Sequence, residues 1–265
     1  MASLASRLLT RGRFWSWHIR HAVLQAVAPR RKVLSRGLTF TLQCDNWITH
    51  YRWRTYNTKE PETHDWIDAR MRDGDTLFDV GANIGVYTVY AACRHPKARI
   101  IAFEPEYANL HLLRDNIVCN RLQDRVTVFS IALGSRAGIS YLNIHELLPG
   151  AALHTVSDEV LTVTRARRPV VWREGVVSLP LDGFCEQTGL WPNCIKIDVD
   201  GTEREVLEGG RRTLSAPEFR TALIEMPDGG SERAACARLL EAAGLRRQWH
   251  DPSGASPNEV WVREW

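Results

Sequence analysis

The chain has 265 residues, 44% of them hydrophobic and 25% charged, the balance of a globular protein and not of a disordered or fibrous one. That length fits one sizeable buried core with an extension better than two domains. The net charge of +3 hides an asymmetry: residues 1–44 carry seven Arg, one Lys and no acid, and the rest of the chain holds 26 basic against 31 acidic residues.

The basic N-terminus is the first element. Leu4, Leu8, Leu9, Phe14, Trp15, Trp17, Ile19, Val23, Leu24 and Val27 recur at roughly helical spacing. Such a segment suits a membrane surface better than a nucleic acid groove, so residues 1–36 are expected to form an amphipathic extension that contacts a membrane, with no nucleic acid partner. Arg7, Arg11, Arg13, Arg20 and Arg30 interrupt every apolar window long enough to span a bilayer. The same composition also fits a mitochondrial transit peptide or a helix packed on the domain. The six cysteines form no CxxC pair, which points to free thiols in a reducing cytoplasm, with peripheral membrane attachment as an extension of that reading.

Residues 37–265 then read as one α/β domain. Leu38–Leu42 alternates as a short strand, and an aromatic and polar lead-in runs to Tyr56. Helical spacing over 62–72 stops at Asp73-Gly74-Asp75, and Thr76–Val80 is a buried strand. Helix 85–94, strand 99–103, helix 107–120 and strand 125–131 follow. Beyond them come strand 194–199, helix 203–214, strand 219–225, helix 231–243 and apolar runs near 245–249 and 259–264. Strands alternating with helices imply right-handed crossovers and a largely parallel sheet. Residues 134–192 break this rhythm with Pro, Gly, His and the basic run Arg165, Arg167, Arg168, Arg173. An insertion of that length is expected to bind the acceptor or cover the site.

The chemistry concentrates at strand ends. Phe78–Thr88 runs a hydrophobic strand into Gly81 and Gly85 at the start of a helix, where open α/β sheets bind ligands. Asn83 stands where a nicotinamide dinucleotide site prefers its middle glycine, which disfavours an oxidoreductase. Glu104 ends the next strand, 19 residues after Gly85, where a carboxylate takes both hydroxyls of a ribose. Asp198 and Asp200 lie two apart near a further strand end, so strand periodicity puts them on one face. Glu203 at a helix start suits either catalysis or capping. These acids, with Glu225 closing the next strand, could also hold Mg²⁺. His145 and His154, in the insertion, are further candidate bases.

Together, Asp79–Gly85 (DVGANIG), Phe103–Pro105 (FEP), Asn116 with Asn120, and Lys196–Glu203 (KIDVDGTE) followed by Val206–Gly209 (VLEG) resemble the FkbM family of methyltransferases over about residues 37–265. The resemblance implies a Rossmann-like class I methyltransferase fold, a mostly parallel sheet with an antiparallel final strand, S-adenosylmethionine as donor, and O-methylation of a sugar, glycan or related small-molecule hydroxyl. Carried over by position, Asp79, Gly81, Asn83 and Gly85 line the methionine end of the donor, Glu104 the ribose, and Ser130 to Ala132 the adenine. Asp198 neutralises the donor's ammonium or acts as base, and Asp200, Glu203 and Glu225 are the other catalytic candidates. The family usually carries Glu where this chain has Asp200, one methylene shorter, and often Phe or Ala at Thr202. A nicotinamide-dependent oxidoreductase and a non-catalytic membrane-associated binding protein are the readings from other classes.

Overall fold

The computed structural model describes Ile19, residues 29–227 and residues 229–264. Nearly all of the amphipathic extension lies outside these residues. Its last part, Arg30–Ser35, is strand β1, which pairs antiparallel with β2 (Leu38–Gln43). Among the described residues no helix is long and apolar enough to cross a membrane.

The hairpin is followed by α1 (Trp47–Arg54), inside the stretch expected to be only a lead-in. Asn46 and Thr49 form a capping box that starts it, each side chain bonding the other's backbone amide. The expected alternation then appears: α2 (Pro61–Arg70), β3 (Thr76–Val80), α3 (Val86–Arg94), β4 (Arg99–Phe103), α4 (Tyr107–Cys119) and β5 (Val126–Phe129). Residues 134–192 are no simple loop. With Ala132 and Leu133 they form β6 (Ala132–Gly134), β7 (Gly138–Ile144), β8 (Thr155–Ser157), β9 (Trp172–Pro180) and α5 (Leu181–Thr188). Their four strands make a second sheet in the order β6-β9-β7-β8, with Ala132, Leu142, Ile144 and Val176 as its apolar seam. The chain returns to the main sheet through β10 (Cys194–Ile197), α6 (Glu203–Gly209), α7 (Arg211–Ser215), β11 (Thr221–Glu225), α8 (Gly230–Ala242), β12 (Leu245–His250) and β13 (Asn258–Arg263).

The main sheet has the order β12-β13-β11-β10-β3-β4-β5. β5, β4, β3, β10 and β11 run parallel, and β13 enters antiparallel beside β11. This is the Rossmann-like class I methyltransferase arrangement. The pleat sorts its side chains into two cores. Leu77, Ile100, Ala102 and Leu223 pack among Tyr90, Leu113 and Trp66 on one face, while Phe78, Ile101, Phe103, Ile195 and Ile224 pack against Phe184, Leu207 and Leu240 on the other. Phe184 meets Phe78, Phe103 and Phe129 edge-on at ring separations of 4.8–5.7 Å, which anchors α5 under the sheet.

Two expected elements end early for identifiable reasons. β10 stops at Ile197 because Asp200 and Gly201 take positive φ values of 56° and 104°. The helix expected over 203–214 is two helices meeting at Gly209 and Gly210. A Cβ on Gly209 would sit 2.0 Å from the Gly134 carbonyl oxygen, so the backbone there lies directly on the end of β6.

The hairpin is held by side chains acting as a strand. Asn116 accepts from the Gln43 amide and donates to the Ile84 carbonyl, both at 2.8 Å. One turn later Asn120 accepts from the Thr41 amide at 2.8 Å and donates to its carbonyl at 2.7 Å. The two carboxamides, four residues apart on one face of α4, thus satisfy the edge of β2. Asn116→Ala leaves a buried amide and a buried carbonyl unpaired, and urea denaturation should show a loss of about 2–4 kcal/mol; a change under about 0.5 kcal/mol would contradict this account.

Candidate active site

The carboxyl ends of β3, β4, β10 and β11 face the second sheet across a cavity of about 210 Å³. Its floor begins at the turn after β3. The amides of Gly81 and Ala82 both donate to the Phe103 carbonyl at 3.0 Å, which ties that turn to the end of β4. A Cβ on Gly81 would lie 1.8 Å from the Asp198 carbonyl oxygen, so only glycine lets β3 and β10 close here.

Glu104, 6% exposed, extends this floor. One carboxylate oxygen accepts from the Asn83 amide at 2.7 Å and the other from the Glu106 amide at 2.9 Å. Burial pushes its carboxyl up to about 8, partly offset by the Glu106 and Asn83 amides. The same carboxyl borders the cavity.

At the end of β10, Lys196 is 3% exposed, with its Nζ 2.8 Å from Asp198 and 3.9 Å from Asp79. Burial opposes the charge of Lys196, but Asp198 and Asp79 outweigh it and hold the amine above its ordinary value. Burial likewise opposes an ionised Asp198, and the Lys196 ammonium outweighs it, keeping that carboxyl well below the usual range. Glu225 sits on the other side of Asp198, whose charge, hydrogen bond and shared burial push Glu225 up to about 10, so it carries a proton and donates it to Asp198. Asp200 is pushed up to about 7 by burial and by Asp198, against the Leu153 amide that donates to it at 2.7 Å.

The roof is the segment 145–154 between β7 and β8. Asn46 donates to the Pro149 carbonyl at 2.9 Å and Arg52 to the Gly150 carbonyl at 2.7 Å. Asn109 accepts from the Gly150 amide at 2.7 Å, and both Asn109 and Asn83 donate to the Ala151 carbonyl, at 3.1 and 2.7 Å. Asn83, at φ 51°, therefore spends its backbone on Glu104 and its side chain on the roof.

Of the residues singled out in the sequence, Gly81, Asn83, Glu104, Ala132, Asp198, Asp200 and Glu225 line this one cavity. Four do not. Asp79 is buried behind the turn, accepting from Thr88 and facing Lys196. Gly85 starts α3 against Leu113. Ser130 is exposed, because β5 ends at Phe129 and the inward positions fall to Ile131 and Ala132. Glu203 turns back to accept from the Gly201 amide at 2.8 Å, so it caps the turn. Asp198 and Asp200 do converge, but through the left-handed turn at Asp200 and not through strand alternation. His154, a candidate base from the sequence, lines the cavity too, as do Arg52, Lys59, Glu60 and Asn109, which come from helix and loop positions without a local motif and so carried no signal in the sequence.

Residues 79–245 match the Methyltransferase FkbM domain. The chain belongs to the FkbM methyltransferase family. That membership replaces the oxidoreductase alternative. This FkbM protein is 29% identical over 196 residues to the 31-O-demethyl-FK506 methyltransferase FkbM of Streptomyces tacrolimicus, covering 66% of this chain and 74% of that one. It is 30% identical over 174 residues to the hexuronic acid methyltransferase AglP of Haloferax volcanii, covering 64% of this chain and 63% of that one. It is 25% identical over 169 residues to the 2-O-methyltransferase NoeI of Sinorhizobium fredii, covering 61% and 68%.

The buried state of Glu104 has a measurable effect on the fold. Its proton is held to about pH 8 in the folded chain against 4.5 ordinarily, so its contribution to stability is complete below pH 4.5 and is lost as pH rises to 8. Glu104→Gln removes this loss. From pH 5 to 8.5 the stability of the variant relative to the natural protein should rise by on the order of 2–4 kcal/mol in urea melts; a pH-independent difference would contradict it.

Proposed function

We propose that this protein transfers a methyl group from S-adenosylmethionine to a hydroxyl oxygen of a sugar, glycan or related small molecule. The observation that carries the reading is one cavity bounded by a buried carboxyl at the end of β4 and by a carboxyl tuned near neutrality after β10. Glu104 fits the two ribose hydroxyls, and the apolar Ile131 and Ala132 fit a flat base. Asp198, with Lys59 and Glu60 nearby, fits the charged methionine end. When bound, the donor supplies an electrophilic methyl group on a sulfonium, open to in-line displacement.

The chain's own tasks are to align the acceptor, exclude water and remove its proton. Asp200 is the base. A carboxyl near 7 is about half ionised at neutral pH and still holds a proton well enough to draw one from a hydroxyl. Asp198 is already committed to Lys196 and to the proton of Glu225, so it supplies fixed negative charge and does not take up a proton. Glu225 acts through Asp198. The sugar acceptor draws support from the relatives named for hexuronic acid and for 2-O-methylation.

Mg²⁺ is the second reading, because Asp198, Asp200 and Glu225 each offer an oxygen within 4.8 Å of the others. A cation there must displace the Glu225 proton and compete with Lys196 for Asp198, which favours turnover without metal. Calorimetry with S-adenosylhomocysteine, then donor turnover against sugars, glycans and small alcohols, tests the proposal; failure to bind S-adenosylhomocysteine removes it. Turnover should rise with pH through about 7, as Asp200 ionises, and then level off. Asp200→Asn should lower kcat by about 10²–10⁴ and abolish that rise while leaving S-adenosylhomocysteine affinity within about threefold. A chelator should leave turnover unchanged, and rescue by Mg²⁺ after chelation would assign the three acids to a metal instead.

A further inference from the structure

His154 has an unmet need. It is 8% exposed and lines the cavity, yet neither of its ring nitrogens has a hydrogen-bond partner. Burial, with the neighbouring His145 ring 5.2 Å away, pushes its imidazole down to about 4, so at neutral pH it is uncharged and offers one N–H and one lone pair. Leaving two such groups buried and unpaired is unfavourable, and native proteins seldom tolerate this without a partner that arrives later.

The position of His154 restricts what that partner is. Leu153, the residue before it, is fixed by its amide to Asp200 in a left-handed conformation, φ 66°. Leu142 and Val156 of the second sheet line the same cavity, as do Gly81, Glu104 and Ile131 at the ends of the main sheet. The imidazole therefore enters the cavity one residue from the amide that holds Asp200, the residue that takes the acceptor's proton. A ring that both donates and accepts matches a group that does the same, and a hydroxyl is the simplest.

Resting on the methyltransferase reading above, we propose that His154 is a specificity-determining residue that hydrogen-bonds a second hydroxyl of the acceptor, adjacent to the one methylated, so that the site takes vicinal polyols such as pyranosides over isolated alcohols. It orients the acceptor and leaves proton removal to Asp200.

The test uses the full chain with ¹⁵N-labelled histidine imidazoles, the His154 signals being assigned by their loss in His154→Gln. S-adenosylhomocysteine is added first, then methyl β-D-glucopyranoside, methyl β-D-glucopyranosiduronate or, as the isolated alcohol, cyclohexanol. The donor product alone should leave the His154 nitrogens in place. A glycoside added to that complex should shift them, and cyclohexanol should not. His154→Leu should weaken glycoside binding about tenfold to a hundredfold, the loss of two buried hydrogen bonds. His154→Gln, which keeps a donor and an acceptor, should recover most of that loss, and both variants should bind S-adenosylhomocysteine as the natural protein does. Unchanged S-adenosylhomocysteine affinity also shows that the variants are folded. If S-adenosylhomocysteine alone moves the His154 signals, the residue is a donor contact and the inference is wrong. If S-adenosylhomocysteine binds but neither glycoside reaches His154, or cyclohexanol does so equally, the inference falls and the methyltransferase reading stands. If S-adenosylhomocysteine does not bind, that reading fails first.

Discussion

One buried ammonium carries the charge balance of this protein. Lys196 lies among Asp79, Asp198 and, through Asp198, Glu225. Three carboxyls around one lysine cannot all be ionised away from water, so their protons are distributed unequally. Asp198 keeps its charge because it is nearest the amine, and Glu225 gives up its own charge to the same neighbour. Asp200, one turn farther out, is left between these extremes. Replacing Lys196 by a neutral side chain would return a proton to Asp198 and remove most of the field that distinguishes the four acids.

The second constraint is backbone. Gly81 allows β3 and β10 to approach until the turn of one touches the carbonyl of the other, and Asp200 adopts a left-handed conformation that bends the chain out of β10. The first fixes the floor of the cavity, and the second swings a carboxylate over it. A left-handed non-glycine residue costs about 1 kcal/mol or more, and the Leu153 amide bound to Asp200 offsets part of that strain.

What was legible in the sequence follows from these facts. Buried strands ending in acids or glycine, separated by amphipathic helices, are local patterns, and Gly81, Glu104, Asp198 and Glu225 all fell where those patterns put them. Asp200 was found for the wrong reason, since period-two alternation does not continue past Ile197. Ser130 was misplaced because β5 ends at Phe129, and a small error in where a strand ends turns a side chain outward, whereas Glu203 took the capping alternative the sequence offered. The roof, Lys59 and Glu60 were invisible, and His154 was legible only as a base and not as an unpartnered ring, because such placements are set by hydrogen bonds between segments up to 103 residues apart. A run rich in Pro, Gly and His looks the same whether it is free or tied down at five points.

The manner of that tying separates two things that are often entangled in enzymes. The roof hangs on three carboxamides, one guanidinium and a single carboxylate. Four of these five attachments carry no group that titrates near neutrality. The fifth, Asp200, accepts from a backbone amide through one oxygen whether or not the other is protonated. Acidification that protonates Asp200 therefore leaves the enclosure shut, and salt, which weakens exposed ion pairs, finds almost none to weaken among these attachments. In this protein the conditions that change the charge of Asp200 are not those that open the chamber.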